Sequence, residues 1–396
     1  MNYDEILNPR VSGMAPSGIR KFFDLASEMD DCISLGVGEP DFITPWEIRD
    51  SAIKAIQAGK TQYTSNAGLI QLREKIAQYL SARFNLCYEP KDEIIVTIGA
   101  SEAIDMALRS VVDFGQEVLI PAPSYVSYQP NVSLVGGVPV AVNLSGDNGY
   151  KLTAEVLEKA ITPKTKAIIF PYPNNPTGAI MTKSEMLEII PVIKKHNLVV
   201  ISDEIYAELN YTDEGHCSIA SLGDMRERTI VLNGFSKAFA MTGWRLGYFC
   251  APREITTQAY KVHQYTIMCA PTFSQYAGLK ALTEGLSDGF SSVKKMQQSY
   301  DTRRKFLYGE FMDMGLTCYE PKGAFYIFPS VKVTGLTGAE FAEQLLKQKH
   351  IAVVPGSAFG SAGGDSVRCC YATAFEDLKT AVKRIREFME EHGWLK

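Results

Sequence analysis

Several familiar signals are missing from this chain of 396 residues. No uninterrupted apolar stretch approaches the roughly 18 residues of a membrane-spanning helix, so no transmembrane segment and no membrane partner is expected. The opening Met1-Asn2-Tyr3-Asp4-Glu5 lacks the basic start and apolar stretch of a secretion signal. Basic residues hold no excess: 40 Lys and Arg stand against 45 Asp and Glu, a net charge of −5, so the footprint of a nucleic-acid binder is absent. The eight cysteines form no C-x-x-C pair, and only Cys369 and Cys370 are adjacent. That argues against a zinc ribbon or a dithiol redox site and fits a reduced, cytoplasmic compartment. The five histidines are far apart, so no metal cluster is expected. Gly59-Lys60-Thr61 looks like the end of a phosphate-binding P-loop, but Lys54 occupies the place of its first glycine. Gly36-Val37-Gly38 starts like a dinucleotide fingerprint, but Asp41 stands at its third glycine. Neither H-E-x-x-H nor G-x-S-x-G occurs.

What is present describes a globular α/β chain. Hydrophobic residues make up 46% and charged residues 21%, enough apolar content for a sizeable core and too little charge for disorder. From about residue 90 to 250, short β-branched runs alternate with helical patterns. Strands are expected at 94–97, 117–120, 138–144, 167–170, 198–202, 229–232 and 246–250. Between residues 101 and 112 apolar side chains recur at 103, 104, 107, 108, 111 and 112, a helical stripe. Helices are also expected at 154–161 and 184–196. This alternation predicts a mainly parallel sheet flanked by helices. The C-terminal part reads as a smaller α+β domain, with helices at 291–314, 339–349 and 376–392 and strands at 316–319, 325–328, 351–354 and 367–371. The expected division is an N-terminal arm over 1–45, a large domain over 46–285 and a small domain over 286–396.

Four segments carry chemistry together: Pro171-Tyr172-Pro173-Asn174-Asn175-Pro176-Thr177-Gly178, Ser202-Asp203-Glu204-Ile205-Tyr206, Ser236-Lys237 with Met241-Thr242-Gly243-Trp244-Arg245, and Val367-Arg368. The first three fall at predicted strand ends, where open α/β sheets bind ligands. A lysine there can form a Schiff base once its amine is deprotonated. A carboxylate can hold a protonated ring nitrogen, an amide and a phenol can bind a ring hydroxylate, and an arginine can pair with a phosphate. Together these describe a site for pyridoxal 5'-phosphate. Taken singly, each residue has a plainer explanation: a strand-end cap, a turn former, a rim aromatic or a structural ion pair.

On these segments, in this order, the sequence resembles the pyridoxal-phosphate-dependent class I/II aminotransferases of the aspartate aminotransferase superfamily (fold type I). The resemblance extends from Gly36-Val37-Gly38-Glu39-Pro40-Asp41-Phe42 to Arg368. It implies that Lys237 is the Schiff-base lysine and moves the proton, and that Asp203 partners the pyridine nitrogen. Asn175 and Tyr206 are implied at the ring 3'-oxygen, and Tyr125 stacked on the ring. Ser236, Arg245 and the backbone of Ala100 and Ser101 are implied as phosphate ligands. Tyr63 is implied to reach the phosphate of a neighbouring subunit, which makes a homodimer the expected assembly. Arg368, assisted by Gly38 and Asn175, is implied to clamp the substrate carboxylate.

Two positions depart from the family pattern. Gly234 stands where Ser is frequent, which puts one phosphate contact in question. Ser101 stands where a Lys accompanies acidic substrates, which favours neutral, aromatic or broad specificity. Phe22, Tyr63 and Tyr326 are expected near the entrance. The expected reaction moves an α-amino group from an amino acid to a 2-oxo acid such as 2-oxoglutarate by ping-pong kinetics. A C–S β-lyase of the same fold, and more remotely a non-catalytic regulatory protein, are the alternatives.

Overall fold

The computed structural model describes residues 1, 3–16, 18, 29 and 31–395, which leaves Phe22 outside. In chain order the strands are β1 (Ile33–Ser34), β2 (Ile94–Thr97), β3 (Glu117–Ala122), β4 (Val138–Asn143), β5 (Thr165–Phe170), β6 (Val199–Asp203), β7 (Thr229–Gly234), β8 (Gly247–Cys250), β9 (Tyr326–Ile327), β10 (Ile351–Ala352), β11 (Val354–Pro355) and β12 (Val367–Cys370). Seven of them form one sheet in the order β2-β8-β7-β6-β5-β3-β4. Only β8 runs against its neighbours there, pairing antiparallel with both β2 and β7. So β2 to β7 share one direction, and their carboxyl ends meet along one edge. Because β8 is reversed, its first residue, Gly247, starts at that same edge.

The central strands are buried on both faces, which is why they read as unbroken β-branched runs without alternation. The helix Gly99–Val111 buries Ala103, Ile104, Ala107 and Leu108, the predicted stripe, against the sheet. Other helix starts are fixed locally. Thr182 and Glu185 form a reciprocal capping box, as do Thr337 and Glu340.

A second core gathers Leu35 with residues from the long helix Ser291–Asp313, the helices Gly338–Lys349 and Phe375–Glu391, and the three-stranded sheet β11-β12-β9. The N-terminal segment is stitched into it. β1 pairs with β10, and the Cys370 amide donates to the Leu35 carbonyl at 2.7 Å. Further on, Arg303 holds Asp41 at 2.8 Å. These ties bring Gly36, Gly38 and Glu39 in front of the large sheet's edge.

Two expected strands differ. Residues 316–319 form no strand: the Leu316 amide donates to the Phe311 carbonyl, capping the preceding helix, and the Thr317 carbonyl accepts from the Ser330 amide. The run at 351–354 is split at Val353. Residues 351–352 pair with β1 while 354–355 pair with β12, so the chain changes sheets there.

Where β7 and β8 meet the Gly99–Val111 helix there is no spare volume. A Cβ on Gly247 would lie 2.5 Å from the Gly99 carbonyl carbon and 2.7 Å from the Ala100 amide nitrogen. A Gly247→Ala substitution must push that helix start away, and it is expected to cost about 1–3 kcal/mol, the usual penalty of overpacking. Denaturant unfolding measures this, and an unchanged midpoint would contradict the packing described.

Candidate active site

The strand edge and the second core enclose a cavity of about 580 Å³. Eleven residues expected at the site line it: Gly38, Ala100, Ser101, Tyr125, Asn175, Asp203, Tyr206, Ser236, Lys237, Arg245 and Arg368. A larger cavity of about 1180 Å³ opens elsewhere, beside Arg83, Glu214 and His216, and holds none of these groups. Topology explains the convergence. Ala100 and Ser101 follow β2, Tyr125 follows β3, Asn175 follows β5, Asp203 ends β6, and Ser236 and Lys237 follow β7. Arg245 precedes β8 and reaches the same edge because that strand is reversed.

Lys237 is enclosed by protein. Its Nζ donates to the Gly38 carbonyl at 2.6 Å and lies 5.5 Å from the Phe325 ring centre. Burial disfavours the ammonium form and brings its pKa from the ordinary 10.5 down to about 8. Asp203 is buried as well. Its Oδ2 accepts from the Tyr128 hydroxyl at 2.8 Å and its Oδ1 from the Ile205 amide at 3.2 Å. Burial pushes the Asp203 carboxyl above its usual range, and the Tyr128 hydrogen bond opposes that rise. Among the described residues it has no cationic partner in an ion pair.

Arg368 is 3% exposed, and among the described residues no carboxylate pairs with it. Nη1 donates to Asn175 Oδ1 at 2.9 Å and Nη2 to the Gly36 carbonyl at 2.5 Å, while Nε has no partner. The guanidinium lies over the Tyr326 ring at 4.4 Å. Tyr326 in turn bonds Tyr206, hydroxyl to hydroxyl, at 2.9 Å. A structural salt bridge, the plain explanation for a buried arginine, is thus not what holds it.

The cavity is also lined by a second arginine, Arg245, by the hydroxyl side chains of Ser101 and Ser236, and by a helix start. The first amides of Gly99–Val111 have no partner within the helix, and its dipole favours an anion there. The Arg245 guanidinium lies against Gly99, where a Cβ would come within 2.8 Å of Nη2. Gly234, the departure from the family pattern, has a local cause: a Cβ there would be 2.9 Å from the Leu246 carbonyl, so the β7–β8 pair leaves no room. The residues present fit pyridoxal phosphate in chemistry. A buried carboxylate lacking a cation matches a pyridinium, an anion cradle matches a phosphate ester, and a desolvated amine matches an aldehyde.

Tyr63 is not brought into the cavity; it is 80% exposed on the surface. Tyr326, expected near the entrance, is 1% exposed and lies deep beside Arg368. Sequence reasoning did not identify Tyr128, which begins an unforeseen helix, Tyr128–Leu134. It also passed over Glu39 and Thr242, which join across the cavity mouth at 3.0 Å.

Comparisons with known proteins identify the family. The model of the family described as "Aminotransferase class I and II" matches residues 30–385. A Bacillus subtilis protein named "Putative aminotransferase YugH" is 51% identical over 97% of this chain and 98% of its own length. An "Aspartate aminotransferase" of Pyrococcus abyssi is 48% identical with the same coverage of each chain. The solved structure of an aromatic aminotransferase from Pyrococcus horikoshii superposes with a TM-score of 0.90 at 46% identity, over 94% of this chain and 100% of that one. Fold and site together define a pyridoxal-phosphate-dependent enzyme of fold type I. The chain belongs to the class I and II aminotransferases.

With no cofactor bound, the Lys237 amine is protonated both in the fold and in the unfolded chain below pH about 8, so its burial costs stability there. That cost disappears as pH rises from about 8 towards 10.5, because only the unfolded chain still holds the proton. Amine-directed labelling of cofactor-free protein is expected to modify Lys237 with a midpoint near pH 8. A midpoint near 10.5 would contradict the burial argument.

Proposed function

We propose that this aminotransferase takes neutral or aromatic amino acids, or a broad range of them, as donors and passes the amino group to a 2-oxo acid, with 2-oxoglutarate as the acceptor. The carrying observation is Arg368, a buried guanidinium without a carboxylate among the described residues, facing the same cavity as the desolvated amine of Lys237. A buried charge of this kind is costly unless a ligand completes it. An α-carboxylate supplies the missing anion in the planar, two-pronged geometry that guanidinium prefers. Asn175 and the Gly36 carbonyl fix the orientation of the fork.

When bound, pyridoxal phosphate supplies an electron sink that acidifies the substrate Cα–H. The chain's own residues do the rest. Asp203 would hold the protonated ring nitrogen, and Tyr128 orients that carboxylate. Asn175 and Tyr206 would hold the ring oxygen, and Tyr125 would pack against the ring. Ser101, Ser236, Arg245 and the Ala100 and Ser101 amides would hold the phosphate. Lys237, with its lowered pKa, would take the proton from Cα as a base and deliver it as an acid to the cofactor carbon that carried the aldehyde. Gly38 offers its carbonyl to the lysine's ammonium.

Charge in the cavity favours this donor class. Lys237, Arg245 and Arg368, the described cations that line the cavity, already have roles. Glu39 adds a negative charge at the mouth, and Val37, Ile104 and Tyr326 add apolar surface. Relatives named for aspartate and for aromatic substrates are both close in sequence, so breadth is consistent with the family. Subunit sharing is supported by the exposed apolar side chains of Ile43, Trp46, Tyr63, Tyr265 and Phe273. We place the working unit as a cytoplasmic homodimer with each Tyr63 reaching the partner's phosphate, and the domain divisions near residues 45 and 285.

Initial rates over a panel of amino donors with 2-oxoglutarate test this directly, with aromatic and neutral donors expected to exceed aspartate; a strict preference for aspartate would overturn the donor class. Arg368→Gln is expected to lower kcat/KM about 100-fold or more, since a buried charge contact is lost, mainly through KM. An equal loss with an amine lacking the carboxylate would count against the clamp. Sedimentation should give twice the chain mass, and Tyr63→Phe should weaken cofactor retention. A fully active monomer would refute the shared site.

A further inference from the structure

His263 lies on the helix Arg253–Thr266, is 0% exposed, and takes no part in the chemistry above. Both ring nitrogens meet acceptors. Nδ1 is 2.5 Å from Glu102 Oε1, and Nε2 is 2.8 Å from the Asn66 carbonyl oxygen. A carbonyl oxygen only accepts, so Nε2 must carry a proton. The contact with Glu102 requires one proton more, on Nδ1 or on the carboxyl. The second Glu102 oxygen is occupied as well, accepting from the Ile98 amide at 2.5 Å.

These bonds form one chain from Asn66 through His263 and Glu102 to Ile98. One end is the loop that carries Tyr63; the other immediately precedes the turn of Ala100 and Ser101. The loop is held from the same side by neutral groups. Tyr260 and Gln264 each reach Asn66 Oδ1 at 3.3 Å, and Asn66 Nδ2 donates to the Met268 carbonyl at 2.8 Å. Among the described residues, Glu102 is the only ionisable side chain hydrogen-bonded to His263. Glu102 belongs to the first turn of the helix whose free amides face the cavity. An uncompensated carboxylate there would repel a phosphate ester and oppose the helix start's preference for an anion.

We propose that His263 is a positioning residue for the phosphate cradle: held as an imidazolium, it neutralises Glu102 and ties the Tyr63 loop to the start of the phosphate-facing helix. The inference rests on the assignment of that turn to the cofactor phosphate. Its force is electrostatic and geometric, because His263 does not line the cavity. Removing the ring leaves Glu102 charged beside the anion; removing both groups takes the repulsion away again.

The test uses the full-length holoenzyme. Equilibrium dialysis against falling pyridoxal phosphate concentrations measures cofactor affinity for the unsubstituted enzyme, His263→Gln, Glu102→Gln and the double variant. His263→Gln is expected to bind about tenfold more weakly, the size of one charge-assisted contact. Glu102→Gln and the double variant are expected to retain most of the affinity. A His263→Gln variant with unchanged affinity, or a double variant as weak as His263→Gln, would overturn the proposal. Should His263→Gln not fold, nitrogen-15 spectra of histidine-labelled holoenzyme decide. Imidazolium shifts for both His263 nitrogens at neutral pH support the assignment, and a singly protonated ring overturns it. Unsubstituted enzyme that retained no cofactor would sink the phosphate assignment itself, a result distinct from retention that is indifferent to His263.

Discussion

The structure depends on an amine taken out of water. Lys237 sits where the β7 chain leaves the sheet, enclosed by aromatic rings, with a backbone carbonyl as its hydrogen-bond acceptor. An ammonium in that position is poorly solvated, and the group responds by giving up its proton more readily. The same enclosure would favour the proposed nucleophilic attack and proton abstraction, which both need the neutral amine. Supplying it required two cores to meet. The large sheet delivers the lysine, while the N-terminal segment, pinned by β1 and Asp41, supplies the carbonyl that receives it.

Around this amine the cavity is arranged by charge. An anion cradle at the start of Gly99–Val111, a guanidinium on β12 and a buried carboxylate at the end of β6 all line it. Neither Arg368 nor Asp203 has an opposite charge of its own among the described residues. Both are held by neutral partners, Asn175 and Gly36 for the arginine and Tyr128 and Ile205 for the aspartate. Neutral partners fix direction without satisfying charge, so the protein is preorganised for ligands carrying the missing charges. Folding with such groups buried has a cost, which the large apolar cores around them offset.

Much of this was legible in the sequence because the physics is local. Strands buried on both faces must be short unbroken apolar runs, so β2, β3 and β5 to β8 could be read within a few residues. The motif residues could be placed because strand ends are where such runs stop. What escaped depends on contacts distant in sequence. Val353 looks like the middle of one strand, and only pairing with two separate partners splits it. Tyr326 reads as a rim aromatic until the Tyr206 hydroxyl and the Arg368 guanidinium are seen to enclose it. Tyr128 carries no motif, and its role arises from a carboxylate 75 residues further on. His263 looks like one of five scattered histidines until the fold sets it between Glu102 and Asn66.

The most direct measurement is chemical. The enzyme loaded with pyridoxal phosphate is reduced with borohydride, digested and mapped by mass spectrometry. The account predicts one phosphopyridoxyl group per chain, on Lys237. A label on another lysine, or none on a protein that has bound the cofactor, would contradict it.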